Sequence, residues 1–267
     1  MKNLTRIAER IYNEPWLILR QKHETIQRIY EAHIAGQKVS MPDDMECDDD
    51  ENDSTPWMEQ RTCVIPVYGV LGKHLSGLEM ACGGCSVDEL VKQIDAAEEN
   101  YAVKKIVFDF RSPGGNACGV PECGERIASC EKATAAFTDS DCCSGAYWLA
   151  SQCDIIAVTG SAEIGSVGVY SIYTDRTKQI EDEGIVVNPI VAGQYKVAGA
   201  PFKVMSDAER TLLQSQVDYL HAKFQNAILD KREIDPSLLE GQIFFGDQAV
   251  ANGFADFIVT CIDDMIE

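Results

Sequence analysis

The chain has 267 residues, is 45% hydrophobic and carries a net charge of −20. That is enough apolar material for one full core, and the acidic balance argues against nucleic acid as a partner, because phosphate binding needs clustered Lys and Arg. No run reaches the roughly 18 apolar residues of a membrane span, and the charged start "MKNLTRIAERIYNEP" lacks a signal-peptide core, so a cytoplasmic protein without a membrane span is expected.

From the N-terminus, "LTRIAERIY" and "WLILRQKHETIQRIYEAHIAG" read as two helices broken at Pro15 and stopped by Gly36, giving a helical arm over residues 1–36. Residues 37–60 read as a solvated linker. Within it Asp43 to Asp53 holds eight acidic residues and no basic one. The main domain is expected over 61–267.

In that domain strands and helices alternate. "CVIPVYGVL" (63–71) reads as a buried strand, 86–100 as a capped amphipathic helix, and "VKKIVFDF" (103–110) as a strand ending in a Gly-rich turn. A helix over 119–130, a strand "ATAAFT" (133–138), a helix beginning at Ser144 and a strand "DIIAV" (154–158) follow. Next come a strand at 165–173, a helix near 174–183, a strand "IVVNPIV" (185–191), a long helix over 206–231 and a terminal helix–strand unit. Strands alternating with crossover helices mean an α/β fold with a mainly parallel sheet, whose sites gather at the carboxyl ends of strands.

Three loops carry residues suited to acyl transfer. "RSPGGN", Arg111 to Asn116, combines a fixed φ at Pro113 with two glycines able to aim N–H groups into a cavity, though the same residues also make a plain turn. In "DCCSGAYWLASQCD", Ser144 follows a strand and precedes an apolar helical run. Its hydroxyl can serve there as a nucleophile or as a simple N-cap. In "AGQYKVAGAPF", Lys196 is flanked by Gly193, Ala198, Gly199 and Ala200. Desolvation there would bring its pKa from about 10.4 toward the ~7 to 8 of a general base, while an exposed loop lysine is the alternative.

Other chemistries are poorly supplied. Of the four histidines, His23, His33, His74 and His221, only His74 falls in a loop near a strand end, so a Ser-His-Asp arrangement is poorly supplied, and neither a G-x-S-x-G elbow, a phosphate loop nor H-E-x-x-H is present. The odd count of 11 cysteines fits a reducing compartment. Cys82-Gly-Gly-Cys85 lacks a second tight pair, since Cys118 and Cys123 stand too far apart, so no metal and no cofactor are expected. A Ser-Lys pair is the combination the residues best allow.

The segments "VIPVYGVL", "IVFDFRSPGGNACG", "DCCSGAYWLASQCD", "AEIGSVGV" and "GQYKVAGAPF", in that order, resemble the S49 serine peptidases, the signal peptide peptidase A family, of Clp protease/crotonase-like fold. The resemblance covers about Cys63 to Val259. It implies Ser144 as nucleophile, Lys196 as general base 52 residues on, Ser166 as the hydroxyl that orients the lysine, and the backbone N–H groups of Gly115 and Gly145 as oxyanion donors. "NEPWLIL", Tyr-Trp-Leu-Ala-Ser after the serine and the "GQYKVAGAPF" spacing resemble the phage and prophage branch that matures procapsids. The expected partners are therefore capsid, portal or scaffold proteins, together with further copies of the chain in a homo-oligomer.

Two departures stand out. Many members of that branch continue into a scaffolding extension where this sequence stops at Glu267, which leaves a scaffolding role open, and the doublet Cys142-Cys143 replaces smaller residues. The expected preference is for small or aliphatic side chains before the cleaved bond. The rivals are Cys143 as nucleophile, a signal-peptide-degrading peptidase, a non-catalytic capsid- or scaffold-binding protein, and a crotonase-type hydratase or thioesterase.

Overall fold

The computed structural model describes residues 14–35 and 55–266, together with Ile11. The first expected helix apart from Ile11, and residues 37–54 of the expected linker, lie outside the described residues, while Trp57–Glu59, read as linker, form a strand.

The main sheet grows outward from the most apolar strands. β3 (Thr62–Tyr68), β6 (Lys105–Arg111), β8 (Ala133–Thr138) and β10 (Ile155–Val158) pair in parallel, with β13 (Phe257–Ile258) parallel at one edge and β2 (Trp57–Glu59) antiparallel at the other. Side chains alternate between faces, and both faces are covered: Ile106, Phe108 and Phe110 of β6 enter the large core, while Val107 packs with Val64, Ala135 and Phe137 on the opposite face. Such double burial is why these strands read as nearly unbroken apolar runs.

Helices cross between the strands. α1 (Arg20–Ile34) follows the first strand, α2 (Gly77–Ala81) is short, α3 (Val87–Glu99) is capped by the Ser86 side chain, and α4 (Val120–Ala128) begins with a proline in its first turn. α5 (Gly145–Ala150) is buried along its whole length, and its Trp148 stacks on Phe224 at 4.7 Å. α6 (Thr177–Asp182) is exposed, α7 (Asp207–Leu229) starts with a Ser206–Glu209 capping box, and α8 (Gly246–Ala251) leads to β13.

Two smaller sheets sit at the carboxyl ends of the main strands. One orders β1 (Trp16–Ile18), β7 (Gly114–Asn116), β4 (Val70–Gly72) and β5 (Gly84–Ser86); the other orders β12 (Ile243–Phe245), β11 (Glu163–Gly165) and β9 (Asp141–Cys143). The expected strand over 63–71 is split at Gly69 (φ 85°), where an added Cβ would stand 2.0 Å from the Gly83 carbonyl oxygen.

Several expectations need correction. Residues 16–18, read as helix, form β1, because Pro15 favours an extended entry and the edge of β7 offers backbone partners. The strand expected over 165–173 shrinks to β11 and a single bridge at Tyr170, since positive φ at Gly165 (116°) and Ser166 (54°) ends it. Residues 185–191 form no strand and lie exposed, with no neighbouring strand among the described residues to pair them. Finally, 114–116 and 141–143, read as loop, are short strands.

Candidate active site

Ser144 is placed by two parallel strand ends. β9 and β11 pair with Cys143 opposite Gly165, and the Ser144 N–H donates to the Gly165 carbonyl at 2.7 Å. Immediately past these ends, Ser144 and Ser166 have nearly the same left-handed φ, 53° and 54°. A non-glycine residue held there costs on the order of 1 to 3 kcal/mol, a strain that surrounding structure must impose. Ser144 is 1% exposed, and its Oγ, though buried, has no hydrogen-bond partner among the described residues. It also makes no cap bond to α5, so the simple N-cap role is not what the hydroxyl performs.

The Ser-Pro-Gly-Gly turn is lashed to the same place by Ser112, which is fully buried. Its N–H donates to Asp141 O at 2.7 Å and its carbonyl accepts from Cys143 N–H at 3.1 Å. Its Oγ donates to Gly69 O at 2.6 Å and accepts from Gly114 N–H at 3.3 Å. A serine that grips β7, β9 and the Gly69 break at once is a positioning residue the motif alone did not reveal.

Gly114 (φ 97°) is where the turn meets the serine. A Cβ there would stand 2.1 Å from Leu17 O and 2.9 Å from both Cys143 O and Gly145 N. No side chain fits, so the backbone leading into Gly115 comes close to the Gly145 amide, the two residues expected as oxyanion donors. The structure thus brings together Ser144, Gly145 and Gly115, with Ser166 one residue past the Gly165 carbonyl that holds Ser144.

Lys196 is not among them. It is exposed, its N–H donating to Gly193 O at 3.1 Å, within a stretch from 181 to 196 whose residues are all exposed. Ser166 is half-buried, its N–H donating to Gln242 O at 2.6 Å.

The two cysteines beside Ser144 are buried as unreactive thiols. Cys143 is fully buried, its thiol donating to Glu163 O at 3.6 Å, and burial together with Asp141 pushes its pKa far above that of a free thiol; Cys142 is raised in the same way. Adjacent residues at this turn face different ways, and Cys143 faces the protein. Of the close pair, Cys82 is exposed while Cys85 is buried and pushed up to about 12, so the two do not share one setting.

Sequence reasoning missed β1 altogether. Leu17 lies opposite Gly115, and Trp16 bridges to Tyr170, so the chain's own N-terminal strand lies against the candidate site. The available signal was Pro15 before three large apolar residues, overridden by the helical spacing that follows them.

The family model described as Peptidase family S49 matches residues 128–267, a span that includes Ser144, Gly145, Ser166 and Lys196. The chain is 27% identical over 205 residues to the Head-tail preconnector protein GP5 of Enterobacteria phage P21, covering 75% of this chain and 41% of that protein. It is 25% identical over 288 residues to the Capsid assembly protease C of Escherichia phage lambda, covering 98% of this chain and 65% of that protein. It therefore spans less than two thirds of either relative. A solved enoyl-CoA hydratase/isomerase from Marinobacter aquaeolei is similar at 11% identity and a TM-score of 0.47, covering 79% of this chain and 72% of that one. With a model matching more than half its length, this chain belongs to peptidase family S49.

Proposed function

We propose that the chain is a serine endopeptidase of the phage capsid-maturation type, acting on capsid or scaffold proteins, with Ser144 as nucleophile and Lys196 as general base. One observation carries this reading: a serine held in a strained backbone conformation, with a buried hydroxyl that has no hydrogen-bond partner among the described residues. Structures keep such a group where chemistry uses it. In the cycle, neutral Lys196 takes the Ser144 proton and Oγ attacks the substrate carbonyl carbon. The N–H groups of Gly115 and Gly145 hold the oxyanion, and the amine leaves with the proton. Water then hydrolyses the acyl-enzyme, and Ser166 orients the lysine. Losing one oxyanion donor costs about 3 to 4 kcal/mol in such reactions, so the turn held by Ser112 matters nearly as much as the dyad.

Lys196 has to reach Ser144 and leave water before it can act as a base. The apolar side chains at 185–191 support assembly of several copies as the means: Ile185, Val186 and Ile190 are 52%, 79% and 103% exposed, an apolar run left largely uncovered by the described residues. A second copy packed there would enclose the lysine loop. A non-catalytic capsid-binding role is favoured by one observation, the exposure of Lys196 in the single chain. Mass spectrometry of the purified chain, alone and with capsid or scaffold protein, separates the two: fragments absent with Ser144→Ala support the peptidase, and identical intact masses for both forms support the binding role.

A further inference from the structure

β1 has the features of a bound peptide. Trp16, Leu17 and Ile18 are 5%, 0% and 3% exposed, whereas a three-residue edge strand ordinarily shows one face to water. The segment is held on both edges. On one, Leu19 N–H donates to Pro113 O at 3.0 Å and Ala117 N–H to Pro15 O at 3.2 Å. On the other, Trp16 N–H donates to Tyr170 O at 3.0 Å and Tyr170 N–H to Trp16 O at 3.3 Å.

The register decides what sits where. The bonds at 19/113 and 15/117 are alternate hydrogen-bonded pairs of an antiparallel ladder, so the intervening pair, Leu17 and Gly115, is the one that exchanges both bonds. The Leu17 carbonyl is thereby presented to the Gly115 N–H. It also lies 2.1 Å from the point where a Gly114 Cβ would stand, a point only 2.9 Å from Gly145 N. A carbonyl oxygen of the chain itself is thus held by one proposed oxyanion donor, Gly115 N–H, on the side of Gly114 that faces the other. The Leu17 side chain runs over the start of α5: a Cβ on Gly145 would stand 3.3 Å from Leu17 Cβ and 3.5 Å from Leu71 Cδ1.

We propose that the slot between β7 and Tyr170 is the substrate channel, that it accepts an extended peptide with a leucine-sized aliphatic residue at the position of Leu17, and that β1 fills it in cis as a pseudosubstrate. The inference rests on the serine-peptidase reading of Ser144. Substrates would enter by strand addition, backbone bonds giving affinity and the Leu17 pocket giving selectivity. Because β1 has to leave first, the open fraction of the chain scales the observed rate.

The test is the rate of Ser144 labelling by a fluorophosphonate in the full chain, with thermal unfolding followed alongside. Leu17→Asp should raise the rate by roughly tenfold or more, the factor that follows from weakening the closed state by about 1.4 kcal/mol. Leu17→Ala, which keeps the backbone ladder, should give a smaller rise and serves if the aspartate form misfolds. Added peptide Glu14–Arg20, EPWLILR, should slow the Leu17→Asp or Leu17→Ala form again, whereas the same peptide with Glu in place of its first leucine should not. Folded variants that label at the wild-type rate, or equal slowing by both peptides, overturn the proposal. Absence of Ser144 labelling in every form would instead defeat the peptidase reading beneath it.

Discussion

Ser144 donates its backbone N–H to the carbonyl of Gly165, which places the serine beside Ser166 at the ends of two parallel strands, both residues in the left-handed region. Two hydroxyl-bearing residues share one strained geometry because β9 and β11 end in register. Their neighbours follow from that arrangement: the Ser-Pro-Gly-Gly turn is tied to β9 through Ser112, and Gly114 lets it approach the Gly145 amide.

Gly114→Ala should therefore abolish activity and destabilise the protein by more than about 2 kcal/mol. It combines a positive φ with a Cβ 2.1 Å from a backbone oxygen. Gly184→Ala has a similar φ (68°) but nothing within 4 Å, so it should cost only about 1 kcal/mol and leave activity intact. Denaturant unfolding of the pair separates crowding from backbone strain. Equal losses would contradict the close approach at Gly114.

Cys143→Ala should keep Ser144 labelling while lowering stability by about 1 kcal/mol, because it removes a small buried group and its bond to Glu163 O. Peptide mapping of the labelled protein checks this. Label found on Cys143, or lost in the alanine form, would reassign the nucleophile.

Lys196→Ala should eliminate activity with a thermal midpoint unchanged to within about 0.5 kcal/mol equivalent in the isolated chain, since the side chain is exposed. Ser166→Ala should lower kcat more than it raises KM, as expected of a group that orients the base. Full activity in Lys196→Ala would remove the dyad from consideration.

A pH dependence follows from His23. Its ring is fully buried at 4.7 Å from Trp16 and 5.5 Å from Tyr170, its Nε2–H donates to Ile11 O at 3.1 Å, and Nδ1 has no partner among the described residues. Burial lowers its pKa, only partly offset by the Ile11 carbonyl and by Glu24. Neutral His23 thus stabilises the docked segment above the ordinary value of about 6.5, and that contribution is lost as pH falls through the window from there to its lowered folded value. The protection of the Trp16 to Leu19 amides, taken as intrinsic over observed hydrogen-exchange rate at each pH, should fall between pH 7 and 5.5 in the native chain more than in His23→Gln, which keeps a donor but cannot titrate. The same fall in protection in both would refute the role of His23.

The α/β class and the parallel core were legible because strands buried on both faces, such as "VKKIVFDF" and "ATAAFT", announce themselves by composition, and Ser86 and Ser206 cap helices from local sequence alone. The three-residue strands were not. β1, β7 and β9 exist through tertiary pairing, and a stretch such as Gly114–Asn116 has no propensity of its own to declare. Residues 185–191 mislead in the opposite direction, being β-branched and apolar yet without a neighbouring strand in the single chain. Ser144, Gly145 and Gly115 are gathered as their motifs suggest, whereas Lys196, which the sequence weighs equally, stands apart.

The most direct measurement is mass-spectrometric mapping of a fluorophosphonate adduct on the assembled, full-length protein. The account predicts one adduct, on Ser144, that disappears in Lys196→Ala and persists in Cys143→Ala. Labelling at another residue, or undiminished labelling of Ser144 without Lys196, would contradict it.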